Sequence, residues 1–411
     1  MLRLSTSQAF DSGLERLQQR QRELTDAQER LTSGKRVSRA SDDPSAAARA
    51  ERARAAVSRH EASQRALDAS RNVLTLTESA LGEAGELMQQ VRETLVAAGN
   101  GAYSDGERVA LAERLKALRG QLLQAANRSD GAGGFLFGGQ GSAAPPFIDG
   151  VGGVAFRGTG GENRVAIDEG LPQSTDGSRE WLAASSGNGL FETRTLSATP
   201  DQAGAWIDAG RITDPTTFFA ATSPPAVADP ANLDYRITFS GSGTFSITKD
   251  GAATPLTNAP FASGQAIEID GMSFTISGSP TAADQFELRL SSNTQSVFDT
   301  LDRAIAELRT PARSRSAVSQ GVQRALVDVD ASTSALQGLR SRVGETLNRA
   351  DLIEGRISAQ KVTAQAERSQ AEDLDMVEAI SLFQNQQSGY QAALQAYASV
   401  QKLSLFQYLN N

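Results

Sequence analysis

Apolar residues recur at helical spacing towards both ends of the chain and at strand spacing in its middle. Leu14, Leu17, Leu24 and Leu31 come first. The seven-residue step from Leu17 to Leu31 predicts a helix that packs along a seam, and the intervening seam positions, Gln21 and Gln28, are polar. Thr32-Ser33-Gly34 ends this pattern. Ser41-Asp42-Asp43-Pro44 then supplies capping carboxylates followed by the residue favoured at a first helical position, which predicts a new helix from Pro44 with Asp42 and Asp43 as its cap. Leu67, Leu74, Leu81, Met88 and Leu95 keep the seven-residue step along it, up to Gly99-Asn100-Gly101. Ser104 and Glu107 match a capping box, and Leu111, Leu115, Leu118 and Leu122 line one face of a third helix.

The far end mirrors this arrangement. Val297, Leu301, Ile305 and Leu308 predict a short helix running to Pro311, and Leu336, Leu339, Val343, Ala350, Ile353 and Ile357 a longer one. Met376, Ile380, Phe383, Tyr390, Leu394 and Tyr397 form another stripe in a different register, with Gln387 and Gln401 at two of its seam sites and Leu405 beyond it. The register change predicts a joint between the last two helices. In the middle, Tyr235–Phe239 and Thr244–Thr248 alternate with period two around Gly241 and Gly243, and Ile267–Ile269 and Met272–Ile276 flank the turn pair Asp270-Gly271. Phe286–Leu290 adds a strand. Between Gly158 and Pro230 the pattern predicts irregular chain with some strands.

Composition sharpens this division. Of 13 prolines, 11 lie between Pro145 and Pro280, as do both tryptophans, and 24 of the 37 glycines lie between Gly131 and Gly278, so the middle is not helical. Neither helical flank is a whole domain by itself. The predicted fold is therefore α+β: a long antiparallel helical bundle or coiled coil built from both chain ends, with a β-rich domain inserted. The expected boundaries are 1–40 for an N-terminal assembly helix, 41–140 for the first part of the bundle and 141–292 for the β-rich insert. The second part of the bundle takes 293–371 and a C-terminal assembly helix 372–411. With seams that are partly glutamine, the outer helices bury too little to offset the entropy of ordering them. They are expected to pair with each other and with neighbouring chains. Leu14, Leu17, Leu24, Leu31, Met376, Ile380, Phe383, Tyr390, Leu394, Tyr397 and Leu405 are the predicted assembly interface.

Charge and chemistry narrow the function. The chain carries 48 acidic against 40 basic residues, net −8, which disfavours nucleic acid and anionic lipid. It has no cysteine and one histidine, His60, so disulfides, thiol catalysis and Cys/His zinc sites are excluded. His60-Glu61 begins a metalloprotease-like pattern that fails at Gln64, and His60 stands in phase with the apolar stripe, as an edge histidine does. Gly139-Gln140-Gly141 lacks a preceding strand, and Pro145-Pro146 blocks the helix that would hold phosphate. Asn127-Arg128-Ser129 is a glycosylation triplet at a helix end, of a kind common by chance. No catalytic, cofactor-binding or metal site is predicted. The opening residues lack the apolar core of a cleaved signal, and no stretch is long and apolar enough to span a bilayer.

Arg30-Leu31-Thr32-Ser33-Gly34-Lys35-Arg36-Val37 followed by Ser41-Asp42-Asp43-Pro44 resembles the N-terminal signature of the bacterial flagellin family. Ile380-Ser381-Leu382-Phe383-Gln384-Asn385, Tyr390-Gln391-Ala392-Ala393-Leu394 and Leu403-Ser404-Leu405 resemble its C-terminal counterpart. Gly134-Phe135-Leu136-Phe137-Gly138-Gly139 with Pro145-Pro146-Phe147, and the run Ile267 to Phe286, are similar to segments of the hook-associated members rather than of flagellin proper. Over residues 148–234 no such resemblance is expected. The resemblance implies a structural, non-enzymatic subunit of the bacterial flagellum, extracellular and exported without a cleaved signal by the type III export apparatus with an export chaperone. It implies self-assembly between hook-associated protein 1 and flagellin. A filament subunit is one alternative, and a surface adhesin on a helical stalk a second.

Overall fold

The computed structural model describes residues 6–161, 170–172, 174–197, 200–223, 233–241 and 243–409. In chain order the helices are α1 (Thr6–Ser33), α2 (Pro44–Ala98), α3 (Asp105–Ala126), α4 (Ser178–Leu182), α5 (Pro215–Thr222), α6 (Val297–Arg309), α7 (Arg315–Glu372) and α8 (Met376–Leu409). The strands are β1 (Phe147–Gly150), β2 (Gly153–Phe156), β3 (Phe191–Thr195), β4 (Ala205–Ile207), β5 (Arg211–Ile212), β6 (Asp234–Phe239), β7 (Thr244–Lys249), β8 (Ala252–Ala253), β9 (Ala259–Pro260), β10 (Ala266–Ile269), β11 (Met272–Gly278) and β12 (Gln285–Leu290). The fold is α+β, helical at both ends with a β-rich centre. The chain forms two compact units, Met1–Arg65 with Leu352–Asn411, and Ala66–Asp351. The terminal unit is thus larger than the two end helices, taking in the start of α2 and the end of α7.

In the Ala66–Asp351 unit the seven-residue stripe of α2 is internal: Leu67, Leu74, Leu81, Met88 and Leu95 are all buried, as are Leu115, Leu118 and Leu122 of α3 and Leu336, Leu339 and Val343 of α7. Ser104 caps α3 through the predicted box, its hydroxyl accepting from the Glu107 N–H while the Glu107 carboxylate accepts from the Ser104 N–H at 2.7 Å. The Gly134–Gly139 run is part of this core. Leu136 and Phe137 are fully buried, and Phe137 packs edge-on against Trp181 of α4, which stacks on Phe298 of α6. Gly139 has φ +69°, and a Cβ there would lie 1.9 Å from the Thr159 carbonyl oxygen, so only glycine fits. The β1–β2 hairpin and α4 therefore belong to the helical core, although their sequence lies in the expected β insert.

The β core is separate and is filled by Phe191, Tyr235, Ile237, Ile247, Phe274, Phe286 and Leu288. Its larger sheet has the antiparallel order β3-β12-β6-β7-β8, and a second sheet runs β10-β11-β4. Both predicted hairpins form, with Phe239 opposite Phe245 and Ile269 opposite Met272. Asp270 and Gly271 both have positive φ, the two-residue turn that matches strand twist. Sequence patterning missed β3, which gains its place by pairing with β12 nearly a hundred residues later. The insert is tied to α7 where Gln320 accepts from the Ile207 N–H at 2.8 Å and the Ser314 and Ser316 hydroxyls donate to the Ala203 and Gly204 carbonyls.

Candidate functional site

The predicted interface residues lie in the terminal unit, where α1 and α8 pack as an antiparallel pair. The register is fixed at three levels. The Leu374 N–H donates to the Gly34 carbonyl at 3.0 Å, Gly389 approaches Arg20, and a Cβ built on Gly13 would lie 3.5 Å from the Tyr397 ring. Numbers rising on one helix meet numbers falling on the other.

The α8 stripe divides. Ala379, Phe383, Gln386, Tyr390, Ala393 and Tyr397, spaced four and three alternately, are half-buried. Met376, Ile380 and Leu394 are 46%, 45% and 40% exposed, together with Val377 and Leu382, which the pattern did not single out. The expectation of one continuous stripe is corrected to an inward heptad seam flanked by exposed apolar side chains. On α1, Leu17, Leu24 and Leu31 are half-buried and Ala27 is buried, while Leu14 stays 39% exposed. The Leu405 side chain lies outside the described residues. Gln386, not Gln387, occupies the seam, and its buried amide oxygen has no hydrogen-bond partner. A polar side chain at a single seam site fixes register at a cost in stability.

The turn after α1 carries the chemistry that positions this pair. Gly34 ends α1 at φ +68°, with its N–H on the Arg30 carbonyl at 2.9 Å. The Arg36 N–H donates to the Glu372 carbonyl at 2.8 Å and its guanidinium to the Ala371 carbonyl at 3.0 Å. The Glu372 carboxylate, only 5% exposed, faces Lys35 at 3.7 Å and Arg368 at 3.3 Å and is bonded by Arg54. The predicted joint is Asp373–Asp375, where the Asp375 carboxylate caps α8 by accepting from the Val377 and Glu378 N–H groups at 2.9 and 3.2 Å.

The two predicted caps have different partners. Asp43 caps α2, accepting from the Ser45 and Ala46 N–H groups at 3.1 and 2.9 Å, and the Ala46 bond holds its carboxyl below the ordinary aspartate range. Asp42 does not touch the helix. It accepts from the Ser38 and Arg39 N–H groups at 3.1 and 2.9 Å, bonds that lower its pKa too, the Arg39 bond foremost. Asp42 is thus a turn brace, because the chain doubles back at Ser38 before the helix starts.

Elsewhere the candidates are structural. His60 is half-buried on α2. The Asn127 amide is committed to Phe147, donating to its carbonyl at 2.8 Å and accepting from its N–H at 2.9 Å. Among the described residues no group of three or more His, Cys, Asp or Glu could hold a metal ion, and no helix is long and apolar enough to cross a membrane. The arrangement provides surfaces for packing helices.

Comparison with known proteins bears on which helices those are. Residues 4–142 match the bacterial flagellin N-terminal helical region and residues 326–409 the bacterial flagellin C-terminal helical region. Residues 212–290 match the D2-like domain of flagellar hook-associated protein 1. Flagellar hook-associated protein 3 of Salmonella typhimurium is 31% identical over 232 residues, spanning 54% of this chain and 68% of that protein. The crystal structure of flagellar hook-associated protein 3 from Legionella pneumophila superposes with a TM-score of 0.68 at 25% identity, over 77% of this chain and 97% of that one. The Legionella pneumophila flagellar junction protein FlgL gives 0.61 at 26% identity, over 70% and 94% respectively.

Proposed function

The chain belongs to the flagellar hook-associated protein 3 family, and on that premise we propose that its paired ends line the wall of the junction between flagellar hook and filament. It is a structural subunit of the flagellum and works outside the cell among other flagellar components. In this reading it joins hook-associated protein 1 on one side and flagellin on the other. It travels unfolded through the type III export apparatus with an export chaperone, without a cleaved signal. The carrying observation is the set of exposed apolar side chains Met376, Val377, Ile380, Leu382 and Leu394 on α8, which flank the seam that packs on α1. Exposed apolar surface of this extent on one helix marks a contact surface. If unlike faces meet between successive copies, the contact is heterologous and builds ring or helical order rather than a closed dimer.

The inner sleeve in this account comprises Leu17, Leu24, Leu31, Phe383, Tyr390 and Tyr397 within each subunit, with Leu14, Met376, Ile380, Leu394 and Leu405 proposed between subunits. Deleting the gene and imaging the cells by electron microscopy tests the reading. Hooks without filaments, with flagellin shed into the medium, are expected; filaments of normal length on every hook would contradict it.

A further inference from the structure

The first turns of α2 present an unusual face. Arg49, Arg52 and Arg59 are exposed and on one side of the helix, beside the exposed alanines Ala48, Ala55 and Ala62 at seven-residue spacing. The carboxylates near them are committed: Glu51 pairs with Arg54, and Glu61 with Lys361 at 3.1 Å. Among the described residues the three arginines have no ion-pair partner. Three uncompensated cations in a chain of net charge −8 are not the footprint of a general anion binder, since the rest of the surface repels nucleic acid and anionic lipid.

A complementary surface exists on the same unit. The groove between α1 and α8 has Ala27, Ala379 and Leu382 in its lining, with Asp26 and Glu378 beside them. Of its other charges, Glu23 pairs with Arg20, Asp375 caps α8 and Arg36 pairs with Asp43, while Arg30 has no ion-pair partner among the described residues. Asp26 and Glu378 have no ion-pair partner among the described residues.

We infer that the Arg49/Arg52/Arg59 face of α2 docks into the α1–α8 groove of a second copy of this chain, the arginines meeting Asp26 and Glu378 while the small alanines let the helices approach closely. This rests on the proposed assembly role and specifies its partner surface. The two faces are different, so each copy offers one to the next and receives the other, the geometry of an open or ring-forming contact. Arg52 and Arg59 stand about 10 Å apart along the axis at 1.5 Å per residue, so more than one ion pair forms along the groove. Such pairs are screened over about 8 Å at physiological salt, and the contact weakens as salt is raised.

Charge exchange in the full chain tests this, read as the amount of chain in flagella recovered from cells that carry only the variant. The positions are exposed and glutamate suits a helix as well as arginine does. Arg52→Glu with Arg59→Glu is expected to lower incorporation at least about tenfold, as opposed charges across an interface become like charges. Adding Asp26→Arg and Glu378→Arg is expected to restore it. Incorporation of the first variant at the parental level overturns the inference, and so does loss without recovery, since the arginines would then act on another surface. A second measurement does not depend on charge. The chain has no cysteine of its own, so Ala55→Cys with Leu382→Cys should give disulfide-linked multimers in oxidised flagella, and monomer alone overturns the docking. Removing 376–411 checks the underlying role separately: if the truncated chain still incorporates, that reading fails whatever the arginines do.

Discussion

The two compact units bury different kinds of side chain. The Ala66–Asp351 unit is filled by large ones, with Trp181, Phe137, Phe147, Phe274, Phe286, Phe298 and five seven-spaced apolar residues of α2 at or near zero exposure. In the terminal unit the buried residues are mostly alanine, among them Ala27, Ala46, Ala50, Ala53, Ala364 and Ala371, joined by Val37, Val57, Ile353 and Ile357. Fully burying a leucine or phenylalanine contributes about 1.5–3 kcal/mol, and an alanine methyl roughly one methylene's share of about 0.8 kcal/mol. The same length of helix therefore holds much less tightly in one unit than in the other. Both units leave some large apolar groups outside, Ile148, Leu190 and Phe219 among them in the larger one, but in the terminal unit Met376, Val377, Ile380, Leu382 and Leu394 are gathered on a single helix. On the proposed function, the first folds as a monomer and the second is completed by a neighbour.

The largest expected break of this contrast comes from removing residues 376–411. Incorporation into flagella should be abolished, while the main thermal transition, followed by circular dichroism, should stay within a few degrees. Collapse of that transition would mean that the larger unit depends on the ends. Next, Trp181→Ala should cost about 3–5 kcal/mol in a urea titration, as expected for a fully buried aromatic. Phe383→Ala, at a half-buried seam site, should change that titration by less than about 1 kcal/mol and yet lower incorporation severalfold. Equal losses from the two substitutions would erase the distinction between units.

Smaller effects sharpen it. Glu372→Gln weakens the pairing with Lys35, Arg54 and Arg368, and should expose the 34–43 turn to proteolysis while leaving the melting of the larger unit unchanged. Asp328→Asn should act in the opposite sense. Burial raises the Asp328 carboxyl above the ordinary aspartate range, although Arg303 lies 3.5 Å away and favours the charged form. A carboxyl whose folded pKa exceeds its unfolded one stabilises the fold below the unfolded pKa and loses that contribution as pH rises through the folded pKa. The amide should therefore raise the melting temperature slightly at neutral pH, with the gain shrinking on acidification. A gain that grew on acidification would contradict the assignment.

Much of the fold was legible because it rests on short-range signals. The seven-residue stripe of α2, the Ser104–Glu107 box and the Asp270-Gly271 turn each declare themselves within a few residues. What was hidden depends on distant partners. Phe191–Thr195 becomes a strand only against β12, and Ala205–Ile207 is too short to show a period. The stripes that pair α1 with α8 were read on the right helices but with a blurred register. Ala379, Gln386 and Ala393 carry half of the inward seam, and neither alanine nor glutamine announces itself as a packing residue, so the more apolar Met376, Ile380 and Leu394 drew the reading outward. Asp42 and Asp43 are adjacent and chemically alike; only the doubled-back chain at Ser38 separates brace from cap.

Hydrogen exchange measured on the dilute monomer and again on assembled flagella tests the central claim most directly. The account predicts rapid exchange over 11–33 and 376–399 in the monomer and strong protection in the assembly, with α3 and α6 protected in both. Protection of α1 and α8 in the lone chain equal to that of α3 would contradict it.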